Sequence, residues 1–153
     1  MIYLLDTDMA VMMIRGMNIK SPHNAGQRER QAKGNRIFDT AERKAKAGHV
    51  VALSAITFAE LEFGAAKAVN PAMERERIER TLAPFLQLAF EPGTPARCYG
   101  DVRCALERQG QVIGPNDLLI AAHALALGAV LVTNNTKEFK RVKGLKCENW
   151  SVS

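Results

Sequence analysis

Residues 2–5, Ile-Tyr-Leu-Leu, are apolar without a break, and Asp6 and Asp8 follow almost at once. A strand with one face in water alternates apolar and polar side chains. An unbroken run predicts a strand covered on both faces, as in a parallel sheet. The same kind of run recurs at 50–53 and 130–132, with shorter candidates at 88–90 and, as an edge strand, at 146–150. Between the runs the pattern turns helical. Helices are predicted over 7–15, with Thr7 and Asp8 as candidate caps, over 36–47, stopped by Gly48, and over 54–67, 71–85 and 95–109. The segment 115–127 is apolar nearly all round, with Pro115 at its start and Gly128 at its stop, which predicts a buried helix. Residues 135–139 predict a short turn or helix. Residues 16–35 are polar and carry three glycines and a proline, which predicts an extended, exposed loop. Strands separated by helices predict a three-layer α/β/α fold around a mainly parallel sheet of four to five strands, in a single domain over 1–153.

A chain of 153 residues, 47% apolar and 24% charged, has the make-up of an ordinary globule with one core. No apolar run reaches the ~20 residues of a membrane helix, and the first residues lack the basic start of a signal peptide. Cys98, Cys104 and Cys147 form no CxxC pair and read as reduced packing residues. A cytoplasmic protein is the expectation. The net charge of +5 and the pI near 9.3 suit a polyanionic partner, and residues 28–46 and 137–146 are dense in Arg and Lys. Those stretches read either as solvated faces or as a basic rim that holds phosphates.

The acidic residues change the picture further. Asp6 follows the first predicted strand, Glu60 lies in the helix after the second, Asp117 opens the buried helix, and Glu138 follows the strand at 130–132. In a parallel sheet these points gather at one edge, the edge where open α/β folds bind ligands. Crowded carboxylates repel one another and call for a hard divalent cation, which takes one or two protein carboxylates together with water and phosphate oxygens. An acidic cup in a basic protein fits a metal-dependent nuclease. Each acid also has a plainer reading. Asp6 could instead cap the following helix, Asp117 could favour its helix dipole, Glu138 could be a surface charge, and Glu60 reads as readily as the far half of a Thr57-x-x-Glu60 capping box. Glu62 lies about 200° round the helix from Glu60 and is excluded from the same site. His23, His49 and His123 give no metal-ligand spacing, His123 reading as a core residue, and no phosphate-binding glycine motif is present.

Four segments, IYLLDTD, SAITFAELEFGAAK, IGPNDLLIAAHALALGAVLVTNNTKEF and VKGLKCENW, resemble in order the PIN-domain family, and within it the VapC-type ribonuclease toxins. The resemblance implies Mg²⁺- or Mn²⁺-dependent cleavage of RNA, often a structured RNA such as tRNA. It also implies homodimerisation and neutralisation by a VapB-like antitoxin. Carried over by motif, Asp6 and Asp117 are the implied metal ligands, Glu60 matches the acid of the ITxAEL segment, and Glu138 matches the acid before the phenylalanine. Two positions depart from the pattern: Asn135 stands where many relatives have an acid, and Asp8 where asparagine is more typical. Two rival readings remain. The LLDTD stretch imitates the DxD of haloacid-dehalogenase phosphatases, and Asn135 is compatible with a non-catalytic RNA-binding or interaction module.

Overall fold

The computed structural model describes residues 1–153. The elements run β1 (Ile2–Leu5), α1 (Thr7–Met17), α2 (Ala25–Lys46), β2 (Val50–Ser54), α3 (Ala55–Ala66), α4 (Pro71–Leu82), β3 (Leu86–Leu88), α5 (Thr94–Arg108), α6 (Pro115–Leu127), β4 (Val130–Val132), α7 (Thr136–Phe139) and β5 (Lys146–Glu148). The five strands form one sheet in the order β3-β2-β1-β4-β5, and every pairing is parallel. The chain builds outward from β1 to β3 on one side, then returns to add β4 and β5 on the other. The order therefore reverses between β1 and β4. At such a switch point two successive connections leave in opposite directions and open a crevice beyond the strand ends.

Both faces of the sheet are covered, as the unbroken apolar runs require. On one face Tyr3, Leu5, Leu53 and Val132 pack with Met9 and Met13 of α1, Ile37 of α2, Leu61 of α3 and Leu82 of α4. On the other, Leu4, Ala52 and Leu131 pack with Leu106 of α5, Ile120 and Ala121 of α6 and Phe139 of α7. The alternation along β1 sends successive side chains to opposite layers. No buried side-chain nitrogen or oxygen lacks a hydrogen-bond partner. No helix is long and apolar enough to cross a membrane.

The loop expected over 16–35 is largely helix. Helix α1 continues to Met17, and α2 begins at Ala25, so only 18–24 connect them. Asn24 caps α2 through its side chain, which accepts the Gln27 N–H at 2.8 Å. The polar run was the solvated side of a helix rich in strong helix formers, with only Gly34, Ile37 and Ala41 buried. Its glycines suggest a break when read from sequence alone. Gly34 instead allows contact with α1: a Cβ placed on it would lie 2.6 Å from Gly16 Cα. Smaller differences lie at strand ends. The third strand is Leu86–Leu88 rather than 88–90, leaving Phe90 beyond it with its ring 5.4 Å from that of His123. The last strand stops at Glu148.

Candidate active site

Asp6 leaves β1 at the switch point. Its backbone N–H donates to the Val132 carbonyl at 2.9 Å, which carries the β1–β4 ladder one residue past the strand. Its side chain is also the N-cap of α1 and accepts the Met9 N–H at 2.8 Å. The two readings of Asp6 are thus compatible, and the caps foreseen at Thr7 and Asp8 are displaced by it. The residue is 3% exposed. Burial pushes its carboxyl up to about 7, with further increments from Asp8 and Asp117; hydrogen bonds from the Thr133 hydroxyl and the Met9 N–H act the other way.

Asp117 sits in the first turn of α6, whose N-cap position is Gly114 and whose start has no side-chain cap. Its carboxylate is therefore not consumed by capping. It is half-buried and raised to about 6, first by burial and then by the charges of Glu138, Glu60 and Asp8. That dependence brings acids from α1, α3, α6 and α7 into one field. Burial and repulsion together make the cup costly to ionise without a counter-charge.

Glu60 is held by α1. Thr7 donates its hydroxyl to Glu60 Oε1 at 2.5 Å, and the same Oγ1 lies 3.2 Å from Thr57 Oγ1. The Thr57–Glu60 capping box is not formed, because Ser54 caps α3 and accepts the Ile56 N–H at 3.1 Å. Thr57 is the third residue of the helix, past its cap. Glu62 points away and pairs with Arg75 at 3.0 Å. Glu138 lies in the first turn of α7, where Asn135 Nδ2 donates to its Oε2 at 2.5 Å. Asp8 is exposed at the rim. His123 is buried, within 2.8 Å of the Ser54 hydroxyl. Its burial lowers its pKa, so it supports the start of α3 as a neutral core residue.

Nothing in the residue pattern marks Thr7, Thr133 and Asn135 as partners of the acids. Each lies within three residues of an acid or just past a strand end, a pattern too common in turns to stand out. As a metal centre the cup has a definite character. No three of its acids converge into a ready-made cage. The all-oxygen donor set of Asp6, Asp117, Glu60 and Glu138 is of the kind a hard ion that keeps much of its water takes.

A known family matches the chain over most of its length: the PIN domain covers residues 31–145. Ribonuclease VapC2 of Rickettsia felis is 37% identical over 153 residues, covering 98% of both chains, and so includes the segment around Asp6. The tRNA(fMet)-specific endonuclease VapC of Shigella flexneri is 40% identical over 99 residues, 65% of this chain and 74% of that one. Among solved structures, the VapBC2 complex of Rickettsia felis bound to a promoter DNA fragment superposes with a TM-score of 0.82 at 36% identity, covering 98% of this chain and 99% of that one. The switch-point sheet with an acidic cup at its carboxyl edge defines a PIN-fold protein. The chain belongs to the PIN-domain family, in the branch of the VapC ribonucleases. These matches favour neither the phosphatase reading nor the non-catalytic module.

Proposed function

We propose that the chain is a Mg²⁺- or Mn²⁺-dependent endoribonuclease and the toxin half of a toxin–antitoxin pair. The observation that carries this reading is the gathering of the acids at the switch point: Asp6 just past β1, bonded through its backbone to the end of β4, Glu60 held by the adjacent Thr7, and Asp117 and Glu138 in the first turns of α6 and α7, with the charges of Glu60 and Glu138 felt at Asp117. Asp6 and Asp117 are the proposed metal ligands, with Glu60 and Glu138 on the flanks of the cup. A divalent cation, when bound, neutralises the central carboxylates and activates water for attack on a phosphodiester. The residues of the chain contribute aim and exclusion. The α1 cap fixes the Asp6 carboxylate, Thr7 fixes Glu60, and the buried walls raise the field of every charge that enters.

The names of the relatives support RNA as substrate, and the tRNA specificity of one of them makes tRNA the first to try. The similar VapBC complexes support a VapB-like antitoxin as partner. A groove of about 700 Å³ suits that role. It starts at Thr7 and Glu60 and has Val11, Ile14, Leu61 and Ile78 among its lining, with Arg15, Arg30 and Lys67 alongside. That lining fits the apolar face and acidic edge of an amphipathic helix. A homodimer is part of the same proposal, and the exposed Phe63, Val69 and Met73 around the α3–α4 turn offer apolar area for it. The reading places the protein in the cytoplasm, with the RNA pool. The direct test is incubation of the purified chain with total cellular RNA, with Mg²⁺ or with a chelator, followed by mapping of new 5′ ends. Discrete, chelator-sensitive cuts support the proposal. RNA that stays intact with both Mg²⁺ and Mn²⁺ refutes it.

A further inference from the structure

Asn135 has a side chain that the proposed chemistry does not use, yet it lies inside the cup. Its Nδ2 donates to Glu138 Oε2 at 2.5 Å, and its backbone N–H donates to Thr133 Oγ1 at 2.9 Å. The Thr133 hydroxyl in turn faces the Asp6 carboxyl and holds its pKa down. Asp6, Thr133, Asn135 and Glu138 thus follow one another across the end of β4, from a central acid of the site to an outer one, with geometric hydrogen bonds at the Thr133–Asn135 and Asn135–Glu138 steps. Thr133 is fully buried and the Glu138 side chain half-buried, so neither is averaged by solvent.

We propose that Asn135 is a positioning residue of the reaction. Its amide commits one oxygen of Glu138, leaves Oε1 free for the cup, and registers that carboxylate against Asp6 through Thr133. The inference rests on the nuclease reading and adds a residue that acts only through Glu138. An amide suits this position better than a carboxylate. Asp117 already carries the repulsion of Glu138, Glu60 and Asp8. Another acid three residues before Glu138, in the same short turn, would push Glu138 away, whereas an amide donor draws it in with a charge-assisted hydrogen bond. Asn135 is also free to do this. It occupies the N-cap position of α7 but makes no side-chain cap hydrogen bond. Its loss therefore removes the contact to Glu138 rather than a helix start.

The test is a double-mutant cycle on the full chain, read as kcat and KM on RNA, with the side-chain amide NMR signals of the metal-free protein as a second readout. In the unmodified protein the Asn135 amide protons are expected downfield and slow to exchange, and Glu138→Ala should erase both features. Asn135→Ala is expected to lower kcat about tenfold or more, the effect of one lost hydrogen bond to a charged group, with KM within about twofold. In the Glu138→Ala background it should change nothing further. Asn135→Asp keeps the shape, loses the donor, and should follow Asn135→Ala; it also serves if the alanine variant folds poorly. Unchanged kcat in these variants, effects that multiply in the double variant, or amide signals indifferent to Glu138→Ala overturn the inference. An unmodified chain that leaves RNA intact with Mg²⁺ and Mn²⁺ removes the nuclease reading and this role with it, and the amide signals then show whether the contact alone exists.

Discussion

The Thr7 hydroxyl meets the Glu60 carboxylate at 2.5 Å across 53 residues of sequence. That contact ties the first residue of α1 to the second turn of α3, so the helices leaving β1 and β2 share one side of the acidic cup. Thr7 follows Asp6 directly. The backbone that aims the central carboxylate thus also aims an outer one. Thr7→Val keeps the shape and removes the donor. It is expected to lower kcat by roughly ten- to a hundredfold, the worth of one hydrogen bond to a charged group. The folded structure should survive, because Thr7 is only half-buried. Single-turnover cleavage of a defined RNA checks this, and an unchanged rate would mean that Glu60 needs no such support.

The central acids make stability depend on pH in a direction opposite to that of a salt-bridged carboxylate. Asp6 moves from an ordinary 3.8 to about 7 on folding, and Asp117 from 3.8 to about 6. Between those values the folded chain holds more protons than the unfolded one, so stability falls as pH rises. The contribution of these two acids is expected to be largest below about pH 4, to fall between about 4 and 7, and to level off above, while buried His123, whose pKa is lowered, acts with the opposite sign. Asp6→Asn should flatten much of this slope. The asparagine can still accept the Met9 N–H, since Asn and Asp cap helices about equally well. Thermal unfolding of the two proteins from pH 4 to 8 in the presence of a chelator checks the sign: the unmodified protein should lose stability relative to Asp6→Asn as pH rises, and a relative gain contradicts it.

Asp117→Asn separates activity from folding. Asp117 makes no cap to its own helix, so the change removes charge and little else. Cleavage is expected to fall by about 100-fold or more, as for loss of a central electrostatic group. The melting temperature of the metal-free variant at pH 8 should hold or rise, because repulsion from Glu138, Glu60 and Asp8 is relieved. Paired activity and melting measurements decide between this and a purely structural Asp117, which would lose both together.

The crossing of α1 and α2 rests on two glycines. A Cβ on Gly16 would lie 2.3 Å from the Arg30 carbonyl oxygen and 2.7 Å from Gly34 Cα. Both contacts are to backbone, which cannot rotate away. Gly16→Ala or Gly34→Ala is expected to cost about 1–3 kcal/mol, the range of an overpacked core, even though alanine favours helix. Denaturant unfolding measures it. A stabilised variant would mean that the helices separate without penalty.

The sheet, its parallel sense and the buried α6 were legible because unbroken apolar runs and the Pro115–Gly128 brackets are strong local signals. The placement of the acids at one edge was legible for a topological reason: Asp6 and Glu138 come just past parallel strands, and Asp117 opens the helix that must run back before parallel β4, so its start lies at the same edge. Helix α2 was not, because the close approach of Gly34 to Gly16 depends on a partner far along the chain. A glycine that permits contact looks, in sequence, like a glycine that breaks a helix. Glu60 was ambiguous for a similar reason. Thr57-x-x-Glu60 has the spacing of a cap, and only the start of α3 at Ser54 shows that the pair lies inside the helix. Thr7, Thr133 and Asn135 were silent because a hydroxyl or amide beside an acid carries no pattern until its partner is placed.

The grip of the cup on a hard cation is tested most directly by diffraction from crystals grown with Mn²⁺, with data collected at the manganese edge. An anomalous peak in the cup within coordination distance of carboxylate oxygens of both Asp6 and Asp117 is expected, about 2.0–2.3 Å, with no peak there in Asp117→Asn. A bound manganese that touches neither residue, or a cup that stays empty at millimolar Mn²⁺, contradicts it.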